Sequence, residues 1–109
     1  MSIAVPLEEL PAALAAYPWG YLVTVGDDQR AHTLAVPTVW SDGGLQASVG
    51  RTTRANVLAR PQLTMVFPHP SPGEYSLIVD GDARVGDDGA LELRPTWAVL
   101  HRPALAAGA

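Results

Sequence analysis

The stretch Tyr21–Ser48, YLVTVGDDQRAHTLAVPTVWSDGGLQAS, decides the fold. Tyr21–Val25 is β-branched and aromatic, which suits a strand. Gly26-Asp27-Asp28-Gln29 reads as a turn, because Gly and Asp favour tight chain reversal. A long strand follows from about Ala31 to Trp40. One of its faces carries His32, Leu34, Val36, Thr38 and Trp40. The other carries Thr33, Ala35, Pro37 and Val39. Both faces are largely apolar, which predicts cover on both sides. Pro37 lacks an N–H and implies a sheet edge or a bulge. Ser41-Asp42-Gly43-Gly44 is a hairpin turn, and Leu45–Val49 returns as a third strand.

The same grammar extends in both directions. Upstream, Leu7, Leu10 and Leu14 lie three and four apart and mark a short helix between about Pro6 and Ala16. Pro11 divides it into two short turns. Downstream, Gly50-Arg51-Thr52-Thr53-Arg54 opens a second short helix, which Pro61 stops. Gln62–Phe67 is a fourth strand. Pro68, Pro70 and Pro72 make the next segment a loop. Tyr75–Val79 begins a fifth strand that continues to Val85. Gly86-Asp87-Asp88-Gly89 is a further hairpin turn. Leu91–Arg94 and Thr96–His101 complete the count at six or seven strands. Strands joined in sequence by tight turns predict an all-β, mainly antiparallel barrel or sandwich. No internal repeat or linker interrupts it. One domain over residues 1–109 is expected, with residues 103–109 as a frayed tail.

Composition excludes several chemistries. The chain has 109 residues and no cysteine, so disulfides, thiolate zinc sites and cysteine nucleophiles are out. All seven basic residues are arginine. A lysine Schiff base and a lysine-bearing phosphate loop are therefore excluded. The net charge of −4 argues against an extended nucleic-acid surface. The start, MSIAVPLEE, lacks a basic region and a long apolar run, so a signal peptide is not expected. No run reaches the roughly 20 apolar residues of a membrane span. A cytoplasmic protein is the expectation. His32, His69 and His101 have no metal-ligand spacing. Asp80, Asp82, Asp87 and Asp88 do not fit a calcium loop, since Arg84 and Val85 stand where an acid and Gly are needed. Neither Gly-x-Ser-x-Gly nor Gly-x-Gly-x-x-Gly occurs.

One segment carries candidate chemistry. Ser48–Asn56, SVGRTTRAN, runs off a strand end through Gly50 into a helix N-terminus. The free N–H groups of a first helical turn, at the positive end of the dipole, favour a phosphate. Thr52 or Thr53 can cap the helix and offer a hydroxyl. Arg51 and Arg54 add forked, permanently charged donors. The alternative is an ordinary threonine cap with two solvated arginines.

These motifs, with AHTLAVPTVW, LQASVGRTTRANVLARPQLTMVF and SLIVDGDARV in that order, resemble the pyridoxamine phosphate oxidase-like family, the flavin-binding split β-barrels. The resemblance covers residues 7–102. Gly81 and Ala83 stand at that family's usual Gly-x-Ala. The resemblance implies a six- to seven-stranded split β-barrel with one or two short helices. It implies a homodimer with flavin mononucleotide (FMN), or a deazaflavin coenzyme, in a groove between subunits. Arg51, Thr52, Thr53 and Arg54 would then hold phosphate, with Thr52-x-Arg54 replacing the frequent Ser-x-Lys. His32, Thr33, Leu34 and Val36 match the strand lining the ring, with Ser48 on the neighbouring strand. Asn56 falls at the helix position facing the cofactor. Trp97 or His101 would reach across the dimer. Two departures stand out. His32 and Thr33 occupy the place of a frequent arginine, and the element before the last strand is short. The resemblance names no catalytic acid or base. A barrel that carries flavin or haem without turnover, and a relative with no cofactor, are the competing readings.

Overall fold

The computed structural model describes residues 1–104. Eight strands form one sheet: β1 (Ser2–Ala4), β2 (Trp19–Val25), β3 (Ala31–Pro37), β4 (Trp40–Ser41), β5 (Gly44–Ser48), β6 (Gln62–Phe67), β7 (Ser76–Val85) and β8 (Ala90–His101). Two helices, α1 (Leu10–Leu14) and α2 (Arg51–Ala59), complete it. The order is β3-β2-β6-β7-β8-β5-β4, and β1 pairs with β8. Every pairing is antiparallel. The curled sheet is the antiparallel half-barrel that the strand grammar anticipates. Among the described residues, no helix is long and apolar enough to cross a membrane.

Alternation explains the core. On β2, Leu22 and Thr24 are buried while Tyr21 and Val25 are exposed. Leu63, Met65 and Phe67 of β6 and Leu77, Val79 and Ala83 of β7 point the same way inward. Leu10 and Leu14 of α1 cover one part of this core, and Val57 of α2 covers another. Pro11 sits in the first turn of α1, after a separate 3-10 turn at Leu7–Glu9. That is the division expected from a proline that cannot donate within a longer helix.

Four details differ from expectation. The long strand ends at Pro37, and Trp40–Ser41 forms a separate short β4. β3 lies at the end of the sheet order and is mostly exposed, not covered on both sides. Its apolar outer face therefore lacks a partner within this chain. The two final segments are one twelve-residue strand, β8, with an irregular register opposite Asp80/Gly81. Pro95 pairs with Gly81 and Trp97 with Asp80, so Thr96 is the extra residue of a bulge. A bulge absorbs a proline that regular pairing would reject. The short β1 has no counterpart in the sequence reading. Pro103 and Ala104 are exposed, and the rest of the expected frayed tail, 105–109, lies outside the described residues.

Candidate functional site

The candidate anion site is built from the end of β5 and the start of α2, against the β7–β8 turn. Ser48, the last residue of β5, is exposed and pairs with Ala90. Val49 then donates its N–H to the Gly89 carbonyl at 2.9 Å, which holds the crossover against the β7–β8 turn. A Cβ on Gly89 would stand 2.3 Å from the Val49 oxygen, and its φ is +82°, so glycine is required. Gly50 is the N-cap of α2, and no side chain bonds into the first turn. The expected threonine cap is therefore not formed. Thr52 is exposed and Thr53 is buried. Gly50 supplies only its carbonyl, to the Arg54 N–H at 3.0 Å. The first-turn donors are left for a group outside the helix.

The two arginines of the segment have different surroundings. Arg51 is exposed and has no ion pair among the described residues. Arg54 donates from Nε to the Gly86 carbonyl at 3.0 Å and from Nη2 to Asp87 at 2.7 Å. At the other end of α2, Arg60 repeats this arrangement on the β2–β3 turn. Its Nε donates to the Val25 carbonyl at 2.8 Å and its Nη2 to Asp27 at 2.8 Å. Between them, Asn56 is buried and donates to the Thr24 hydroxyl at 3.0 Å. Thus α2 is fastened to both hairpin turns and to β2. Asn56 spends its amide on β2, within the protein.

Asp27, Arg60 and Thr24 are not singled out by the sequence, and Asp87 is weighed there only as a calcium ligand. A usable signal was present. Gly-Asp-Asp occurs at both 26–28 and 86–88, and both turns have the same bonds. Asp28 accepts from the Arg30 N–H and Asp88 from the Ala90 N–H, each at 3.0 Å.

On β3, His32 is paired with Thr24, Leu34 with Leu22, and Val36 with Gly20. Cross-strand partners share a face. These three residues therefore lie on the inner face, where Val36 is buried and His32 and Leu34 are half-buried. Thr33 is on the outer face and exposed. Trp97 is 54% exposed on the outer face of β8. His101 accepts or donates at Nδ1 with the Ser2 hydroxyl, 3.0 Å away, which ties β1 to β8. The Tyr17 hydroxyl is pushed above its usual range, first by burial and then by the nearby charge of Glu74. It donates to the Tyr75 carbonyl at 2.9 Å, at the other end of β2 from Thr24. Among the described residues, no three His, Asp or Glu side chains gather to hold a metal ion.

Chemically, the arrangement offers an anion site made of backbone N–H groups and one free guanidinium. The edge strand β3 is not beside it: the turn that joins β3 to β2 meets the far end of α2 through Arg60.

Comparison with known proteins gives three findings. No family model matches the chain. The uncharacterized proteins Mb0449c of Mycobacterium bovis and MT0457 of Mycobacterium tuberculosis are each 39% identical to it over 119 residues, covering 92% of this chain and 82% of theirs. Solved structures share the fold at low identity. A pyridoxamine 5'-phosphate oxidase candidate from Listeria innocua superposes with a TM-score of 0.72 at 16% identity, over 86% of this chain and 96% of that one. A FAD-binding protein from Mesorhizobium loti gives 0.70 at 15%, over 92% and 96%. An F420 reductase gives 0.65 at 20%, over 79% and 93%.

Proposed function

We propose a function from one premise: this chain belongs to one family with the two mycobacterial proteins, and its fold is that of the pyridoxamine 5'-phosphate oxidase-like proteins. The reading is a small cytoplasmic oxidoreductase that binds a flavin-type cofactor, FMN or a deazaflavin coenzyme. The observation that carries it is the uncapped start of α2 with Arg51 free beside it. That set suits a phosphate or phosphodiester. FAD-binding and F420 reductase neighbours on the same fold support the choice.

In this reading Arg51 and the first-turn N–H groups of α2 hold the phosphate. Thr52 offers its hydroxyl. Arg54, fixed by Gly86 and Asp87, holds the helix start in place and adds its charge from one side. The β3 backbone beside His32, Leu34 and Val36 lines the ring. The cofactor, when bound, supplies hydride or electron transfer; the chain supplies orientation and a dry wall.

The outer sheet face is the surface for a second copy of this chain. Trp19 and Tyr21 stack edge-on at 5.0 Å there, each 39% exposed. Val25 lies on the same face of β2 and is 41% exposed. An apolar face of this kind marks a contact surface. The homodimer would close the cofactor groove over β3, with Trp97 or His101 approaching from the partner.

The test is an absorption spectrum of the purified protein, followed by titration with FMN and with a deazaflavin. Saturable binding at micromolar concentration is expected. A Soret band would favour a haem-carrying module. Failure of every flavin to bind would remove the oxidoreductase reading.

A further inference from the structure

The outer sheet face can be followed from strand to strand by register. Tyr21 pairs with Ala35 and with Val66, Val66 with Ile78, and Ile78 with Val99. Cross-strand partners share a face, so these five make an unbroken apolar row over β3, β2, β6, β7 and β8. The next row on the same face is Thr33, Val23, Thr64, Asp80 and Trp97. Across both rows Asp80 is the one charged side chain.

That charge is also uncompensated. Further along β7 each charge has an opposite neighbour on β8: Asp82 faces Arg94, and Arg84 faces Glu92. Arg94 bonds to Glu92 at 2.9 Å. The cross-strand partners of Asp80 are Trp97 on β8 and Thr64 on β6, both uncharged. No ion pair among the described residues includes Asp80. The Thr64 hydroxyl donates to its carboxylate at 2.6 Å. On its own strand Asp82 lies two residues away on the same face and adds a like charge, while Arg84 is roughly 13 Å away. In a single copy the half-buried carboxylate is therefore solvated by water and one hydroxyl.

Covering this face changes the balance. Asp80 stands about 12 Å from Tyr21, two strand spacings and one row away. A stable interface takes about 800 Å² from each partner, so one centred on the apolar row includes Asp80. Loss of water disfavours a charged carboxylate, and the negative charge of Asp82 acts in the same direction. A proton taken from solvent removes that cost, and the neutral acid still accepts from Thr64. The effect does not depend on the direction of the two-fold axis, because it needs only that the face be covered.

We propose that Asp80 makes the association of two copies acid-sensitive: each copy takes up a proton on this carboxylate as its outer face is covered, so the dimer strengthens as the pH falls. The sign follows from linkage, since the state that binds more protons gains on acidification. The proposal rests on the homodimer reading above.

Sedimentation velocity of the full chain at pH 8 and pH 4.5, native beside D80N, tests it. Asp80 lies outside the core, and D80N keeps the shape and an acceptor for Thr64 while removing the charge. A cost of about tenfold per carboxylate, with two in the dimer, makes D80N roughly a hundredfold tighter than the native chain at pH 8. That gap is expected to narrow about tenfold by pH 4.5. His101 also titrates, four residues beyond Trp97 on β8, but it is the same in both proteins, so the gap between them reports Asp80. A D80N dimer no tighter than the native one at pH 8 overturns the proposal and leaves the homodimer reading standing. So does a gap of the same size at both pH values. If both proteins sediment as monomers at both pH values, with and without flavin, the homodimer reading falls as well.

Discussion

Arg51 and Arg54 are less than one helical turn apart, yet their environments separate their roles. Arg51 is free, so its guanidinium can be given wholly to an anion. Arg51→Ala should weaken flavin phosphate binding by about 1–3 kcal/mol, the range for a charge-assisted hydrogen bond. It should leave the melting temperature unchanged. Arg54 holds Gly86 and Asp87, so Arg54→Ala should lower both cofactor affinity and melting temperature. The stability part should stay below about 1 kcal/mol, because Asp87 is fully exposed and solvent screens the pair. Fluorescence titration beside thermal melts separates the two effects; equal behaviour of both variants would contradict the division of roles. Tyr17 gives a pH prediction. Its hydroxyl is raised in the folded state by burial and by Glu74. A raised acid contributes its full stability below its unfolded value, about 10 for tyrosine, and loses it as the pH rises through the folded value. Stability should therefore fall above about pH 10. Tyr17→Phe should flatten that fall and cost about 1 kcal/mol at neutral pH, from the lost bond to Tyr75. Denaturant melts at pH 7 and above pH 10 check both.

Helix α2 shows what a short element needs in order to persist. Nine residues are too few for a stable isolated helix, so its packing must hold it. The packing is Val57 in the core, Asn56 on Thr24, and an arginine clamp at each end. Asn56→Ala would leave the Thr24 hydroxyl buried without its partner. It should cost about 1–3 kcal/mol. At about 4–8 °C per kcal/mol for a domain near this size, a melting experiment resolves that easily. A shift under 2 °C would show that the bond contributes little. The same element shows which features could be read in advance. Its span was legible from Gly50 and Pro61, since both residues act locally on the backbone. The strands were legible from alternation and from the Asp–Gly turns. β1 was not, because three exposed residues, Ser2-Ile3-Ala4, have no pattern without the β8 edge that pairs them. The continuity of β8 was hidden by Pro95, which reads as a break unless a bulge opposite Gly81 accepts it. At the site, the arginine-rich segment was visible. The direction of each arginine was not, because it depends on turns 33 residues away along the chain for each clamp.

At the scale of the whole molecule, the proposed reading makes the cofactor and a second copy two ligands of one groove. The edge strand β3 is exposed in a single copy, and so are Trp19, Tyr21 and Trp97. A flavin ring lying on β3 alone would keep one face in water. A second copy would cover that face, so each event should strengthen the other. Such coupling is reciprocal by thermodynamic necessity, with typical values of about 1–3 kcal/mol. Two measurements follow. Flavin affinity, read by fluorescence, should fall on dilution through the dimer dissociation constant, by roughly 5–150-fold between the two limits. Saturating flavin should in turn shift sedimentation toward the dimer by the same factor. Variants of the outer face provide the control. Tyr21→Glu lies on the exposed face of β2, away from the start of α2, and touches no proposed phosphate ligand. It should weaken dimerisation and carry flavin affinity down with it. An affinity independent of protein concentration, and unmoved by Tyr21→Glu, would place the cofactor wholly within one copy. The outer apolar face would then serve a contact separate from the cofactor site.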